Sequence, residues 1–120
     1  MTVDPFAERL ASVRQRFVSV LASKIEETYA ALPNLSGMAP EAIEAVGNTY
    51  RRMHGLVGIG ATVGFSGTGR AARGVEDILL PPHHAGRGLT TEEIASLKNA
   101  LHALREAAAS ELQSFYTGLQ

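Results

Sequence analysis

A single histidine stands in unusual company in the stretch His54-Gly55-Leu56-Val57-Gly58-Ile59-Gly60-Ala61-Thr62-Val63-Gly64. A helix advances about 100° per residue, so residues three and four apart share a face. On that geometry Gly58 and Ala61 lie beside His54, whereas Leu56, Gly60 and Val63 point to the opposite side. One face then presents an imidazole among side chains that are almost absent, and the other is apolar enough to sit on a core. A histidine that reacts with a group carried by a large partner needs such surroundings, because a long neighbouring side chain would hold the reactive atom away. An imidazole at neutral pH offers a ring nitrogen lone pair for attack on an electrophile such as phosphorus. Arg51 lies one turn earlier and about 60° around the helix, within reach of an incoming anionic group, with Tyr50 at the edge of the same face.

Other chemical patterns fail at their essential positions. The stretch Gly64-Phe65-Ser66-Gly67-Thr68-Gly69-Arg70-Ala71 imitates a phosphate-binding loop, but Arg70 stands where the lysine belongs and Ala71 lacks the hydroxyl that would meet magnesium. Gly58 and Gly60 lack the third glycine of a dinucleotide fingerprint, since position 63 is valine. His83, His84 and His102 are not accompanied by cysteine or by a nearby set of carboxylates, so no metal site is expected from them. No carboxylate cluster lies near His54 in sequence.

Four amphipathic helices are predicted to position these residues. Asp4 as N-cap and Pro5 at the first helical position open the first, whose stripe of Phe6, Leu10, Val13, Phe17, Val20 and Leu21 leads to a stop at Pro33. After a linker over 34–39, the second helix begins near Pro40 and runs through the histidine to about Gly64, with Ala42, Val46, Met53, Leu56, Gly60 and Val63 inward. The third is expected over 68–80, with Ala72, Val75, Ile78 and Leu79 inward; Pro81-Pro82 should end it, leaving 83–89 as a loop. The fourth opens with a capping box of Thr90 and Glu93, followed by the stripe Ile94, Leu97, Leu101, Leu104, Ala108 and Phe115. Four such helices with short connections predict an all-α, antiparallel, up-down-up-down four-helix bundle, and 120 residues make one domain.

Six glycines between Gly55 and Gly69 work against helix formation, each interior one costing about 0.5 to 1 kcal/mol relative to alanine. They must return something: Gly60 and Gly64 a close helix approach, Gly55 and Gly58 an open face around His54, Gly67 and Gly69 a turn into the third helix. The balance of 12 acidic against 11 basic residues gives no clustered positive charge for nucleic acid or anionic lipid. The chain has no cysteine, and nothing approaches the roughly 20 apolar residues of a membrane span or resembles a signal peptide, so a cytoplasmic protein is expected.

The spacing around His54 resembles the signature of the histidine-containing phosphotransfer (HPt) domain, roughly His-x-Leu-Lys-Gly-x-small-x-x-apolar-Gly. The phospho-accepting position of that family falls on His54, its leucine on Leu56, its small residues on Gly58 and Gly60, and its closing pair on Val63-Gly64. Its lysine is Val57 here, which removes a charge expected beside the phosphoryl group and leaves that role absent or to another base such as Arg51. The resemblance implies a phosphorelay protein that carries a phosphoryl group on His54 Nε2 between receiver-domain aspartates of a sensor kinase and a response regulator. It implies a phosphocarrier rather than a stand-alone enzyme, with no cofactor of its own and Mg²⁺ on the partner receiver. Tyr50, Arg51, Gly55, Val57, Gly58 and Ala61 would form the docking face of a monomer that binds neither nucleic acid nor membrane. A helical interaction or scaffold module, in which His54 has no chemistry, is the alternative.

Overall fold

The computed structural model describes residues 4–118, which form four long α-helices and one short 3-10 helix. Helix α1 spans Pro5–Ala31, followed by a 3-10 turn at Leu32–Asn34; α2 spans Pro40–Gly60, α3 Ser66–Ala85 and α4 Thr91–Gly118. Asp4 accepts the Phe6 N–H at 3.0 Å and Pro5 occupies the first turn, which starts α1 as the sequence predicts. The capping box also forms: the Thr90 N–H donates to Glu93 Oε1 at 2.8 Å and the Glu93 N–H to Thr90 Oγ1 at 3.1 Å. Each helix packs on its neighbours in sequence and α1 closes against α4, so the chain is an all-α four-helix bundle.

The core follows the apolar stripes. Leu21, Val46, Met53, Val75, Leu79, Leu97, Leu101 and Leu104 are fully buried, and Leu56 nearly so. Phe65, in the turn between α2 and α3, packs edge-on against Phe17 of α1 with ring centres 5.2 Å apart and also faces Phe115 of α4. The stripe of α1 is not buried along its whole length, however: Phe6 is 72% exposed and Val13 is also exposed. The reason is length. At 1.5 Å per residue the 27 residues of α1 and 28 of α4 outrun the 21 and 20 of α2 and α3, whose side chains cannot cover the ends of a 59 Å long molecule.

Two helix ends differ from the expected ones. Helix α2 stops at Gly60 rather than Gly64, and residues 61–64 form a turn in which Gly64 adopts φ +88°, a conformation costly for any residue with a side chain. Helix α3 starts at Ser66 and does not end at Pro81-Pro82 but continues to Ala85. Proline forfeits one backbone hydrogen bond but its fixed φ is helical. Pro82 is buried with Leu79, and the helix is closed further on by Gly86 in the left-handed region, with Gly86 N–H donating to His83 O and Arg87 N–H to Pro82 O. Tertiary packing and a strong C-terminal stop thus override the local proline signal, and His83 and His84 sit on the last turn of α3, not on a loop.

Candidate functional site

Helices α2 and α3 form a hairpin about Phe65, and this pairing places the site. Gly60 makes it possible: a Cβ there would sit 3.0 Å from the Cα of Gly69 and 3.1 Å from the Phe65 carbonyl oxygen, so only two glycines let the backbones meet. Because the helices run antiparallel, residues equally far from Phe65 face one another. His54 and Glu76 each lie eleven residues from Phe65. Their side chains meet, with His54 Nδ1 2.7 Å from Glu76 Oε2.

The two partners differ in exposure. The His54 side chain is 68% exposed and that of Glu76 14%, so α3 supplies a sheltered carboxylate to an imidazole that stands in solvent. An ionised carboxylate only accepts hydrogen bonds, so the proton in this contact belongs to Nδ1. The other ring nitrogen, Nε2, has no protein partner among the described residues and keeps its lone pair when the ring is neutral. A histidine held this way has a set tautomer and orientation and an outward nucleophilic atom. Positive charge arising on the ring would be met by the carboxylate.

The surrounding face is as open as the sequence indicates. A Cβ added at Gly55 or at Gly58 would meet nothing within 4 Å, and Ala61 is exposed. Val57 is half-buried between this face and the core, and it lines a cleft between α2 and α3 together with Ala61, Arg70 and Arg73. Tyr50 stacks on His54, with ring centres 5.9 Å apart and 16° between planes, and also on His83 at 4.6 Å. Arg51 is not brought to the imidazole. Its guanidinium reaches back over Gly47 and donates to Asn48 Oδ1 at 2.8 Å, two turns before His54, in keeping with the lean of helical side chains toward the N-terminus.

Glu76 and the placement of His83 are absent from the expectations read off the sequence. A signal for Glu76 existed: it adjoins the buried Val75 on α3, and reflecting His54 about the turn lands on it. That step needs the pivot at Phe65, which an expected helix running to Gly64 and restarting at Thr68 does not supply. His83 was hidden by the prolines. It belongs to the stack on Tyr50, His84 lies beside it at 6.0 Å, and His102 is 3.3 Å from Glu106 on α4; among the described residues no three histidine, aspartate or glutamate side chains converge as a metal site would require.

The loop that imitates a phosphate-binding motif proves to hold an anion from within the protein. Glu111 of α4 accepts the Thr68 N–H at 2.6 Å, the Gly67 N–H at 3.2 Å and the Thr68 hydroxyl at 2.6 Å. It caps α3 from another helix, where Phe65 at the N-cap position has no side-chain oxygen to do so. Among the described residues no helix is long and apolar enough to cross a membrane. Comparison with protein families, with curated proteins and with solved structures gives no match for this chain.

Proposed function

We propose that this chain is a phosphohistidine carrier of a two-component phosphorelay, accepting a phosphoryl group on His54 from the aspartyl phosphate of one receiver domain and passing it to the aspartate of another. The observation that carries the reading is the pairing of His54 Nδ1 with Glu76, which leaves Nε2 outward on a face stripped of side chains by Gly55 and Gly58. The resemblance of the segment from His54 to Gly64 to the HPt signature points the same way.

The residues divide the work as follows. The Nε2 lone pair of neutral His54 forms a bond to phosphorus as the bond from phosphorus to the donor's carboxylate oxygen breaks, and the electron pair of that bond leaves with the carboxylate. The ring gains positive charge while Nδ1 keeps its proton, and the Glu76 carboxylate stabilises that charge through the hydrogen bond already in place. Transfer onward is the reverse of these steps with a second aspartate as acceptor. Gly55, Gly58 and Ala61 admit the partner's surface to Nε2, and Tyr50 holds the imidazole plane by stacking. On this reading the chain is a carrier rather than a stand-alone catalyst, and Mg²⁺ with its acidic ligands would stand on the partner, near the aspartate being attacked. The partners would be proteins encountered in the cytoplasm.

Incubation of the purified chain with a phosphorylated receiver domain tests the reading. Acid-labile phosphate should accumulate on the wild type and be lost in His54→Gln, with the melting temperature almost unchanged because the side chain is exposed. Labelling of the glutamine variant, or none of the wild type across the receivers of its own genome, would overturn it.

A further inference from the structure

Next to His54 the groove between α2 and α3 opens into a cleft of about 280 Å³ lined by Val57, Ala61, Ser66, Gly69, Arg70 and Arg73. Its charge is one-sided. No carboxylate lines it, whereas both arginines do. Of the four arginines on α2 and α3, Arg51 donates to Asn48 and Arg52 pairs with Glu27 at 3.3 Å. Arg70 and Arg73 take part in no ion pair or side-chain hydrogen bond among the described residues. The remaining lining is small or aliphatic, apart from the Ser66 hydroxyl, so an entering anion would meet few competing groups.

The hairpin register sets where these cations lie. Val57 and Arg73 are each eight residues from Phe65 and line the same cleft from opposite helices, as His54 and Glu76 meet at eleven, while nearer the turn Gly60 meets Gly69. Arg73 is thus one turn along α3 from Glu76, about 5 Å along the axis, on the side of His54 away from Tyr50. Two arginines about one turn apart on α3, whose guanidinium groups are planar, forked donors, line the cleft with Val57, Ala61 and Gly69 and suit a tetrahedral oxyanion, which can accept from both. The side chain of Val57 is neutral, so Arg70 and Arg73 supply the charge of this cleft.

We infer that the cleft between α2 and α3 is a binding site for a phosphoryl-type oxyanion, with Arg73 and Arg70 as its donors, adjoining the nucleophilic His54. Its assignment to the phosphoryl group in transit rests on the phosphocarrier reading; the site itself rests on the cleft.

Inorganic phosphate titrated into the ¹⁵N-labelled full chain, read at the arginine Nε–Hε signals and backbone amides, tests it. Saturable shifts are expected at Arg73, Arg70, Ala61 and Gly69. Arg70→Gln/Arg73→Gln should raise the Kd for phosphate at least about tenfold with the amide pattern of the fold preserved, and Val57→Lys placed in Arg73→Gln should restore much of the affinity because it returns a charge from across the cleft. An equal Kd in the double variant, shifts centred on Gly67 and Thr68 at the start of α3, or shifts by acetate as strong as those by phosphate at one ionic strength would each overturn the assignment. Labelling of His54 by phosphoramidate on the same samples separates the two readings. Binding without labelling keeps the oxyanion site and removes the phosphocarrier, and labelling without binding does the reverse.

Discussion

Glu76→Gln should slow phosphoryl transfer without unfolding the protein. Glutamine has nearly the shape of glutamate, and its side-chain carbonyl can still accept from Nδ1 across the 2.7 Å contact, so the orientation of His54 is largely retained while the negative charge is lost. The charge acts most when the ring becomes cationic on phosphorylation. A charge-assisted hydrogen bond is worth about 1.5 to 3 kcal/mol against about 1 for a neutral one, so the loss at the transition state is about 0.5 to 2 kcal/mol, or roughly two- to thirtyfold in rate. Glu76→Ala should cost more, since it also frees the ring to rotate and to exchange tautomers. Stability should fall by less than about 1 kcal/mol in the glutamine variant, because one partner of the pair stands largely in solvent. Rapid-quench labelling by phosphoramidate, which needs no docked protein, gives the rate, and ¹⁵N spectra of the ring give the tautomer. Wild-type rates in both variants, with the Nδ1–H tautomer undisturbed in Glu76→Ala, would refute the role given to Glu76.

Three further outcomes test the packing and the face. Gly58→Glu should fold with its melting temperature kept, because nothing lies within 4 Å of an added Cβ, yet it should block labelling by a phosphorylated receiver while phosphoramidate still labels His54; unfolding would show that the face is misassigned. Alanine scanning within α2 should give opposite signs in thermal melts: Gly58→Ala gains about 0.5 to 1 kcal/mol from helix propensity, whereas Gly60→Ala loses about 1 to 2 because the new Cβ presses on the backbone of Gly69 and Phe65, and equal shifts would contradict the close helix approach. The Glu93 carboxyl is held down from its usual 4.5 to about 2, chiefly by its hydrogen bonds from the Arg87 guanidinium and then by the Thr90 N–H, against a partial burial that works the other way. Since the folded value is depressed, its contribution is full above 4.5 and fades as pH falls toward 2, so Glu93→Gln should lose about 1 to 2 kcal/mol at neutral pH and converge on the wild type near pH 2; a constant gap across that range in urea melts would refute it.

Much of this architecture was legible because local and global signals agree. Asp4-Pro5 and the Thr90/Glu93 box are sequence-local, and the stripes of α2, α3 and α4 form the core as their periodicity requires, with Ile78, Ile94 and Phe115 only partly buried at its edge. What stayed hidden depends on contacts between helices. The run Pro81-Pro82 reads as a terminator from its own chemistry, and only the burial of Pro82 with the stop at Gly86 reverses that. Of the glycines, Gly60 gives the expected close approach and Gly55 and Gly58 the open face, whereas Gly64 serves a left-handed turn in place of a helix contact, and Gly67 and Gly69 lie inside α3, where Gly69 receives Gly60. The partner of His54 lies 22 residues away on another helix and becomes visible only once the turn at Phe65 sets the register. Arg51 shows the converse: its position on the helix is one turn from His54, but the lean of its side chain carries the guanidinium to Asn48 instead.

The central claim is that His54 takes a phosphoryl group on Nε2, and the position of the phosphorus on the ring tests it most directly. After phosphoramidate treatment of the intact ¹⁵N-labelled chain, correlation of ³¹P with the imidazole signals should show one phosphorylated histidine, His54, bonded through Nε2, with Nδ1 still protonated against Glu76. Phosphorus on Nδ1, on His83, His84 or His102 in preference to His54, or on no histidine at all, would contradict the account.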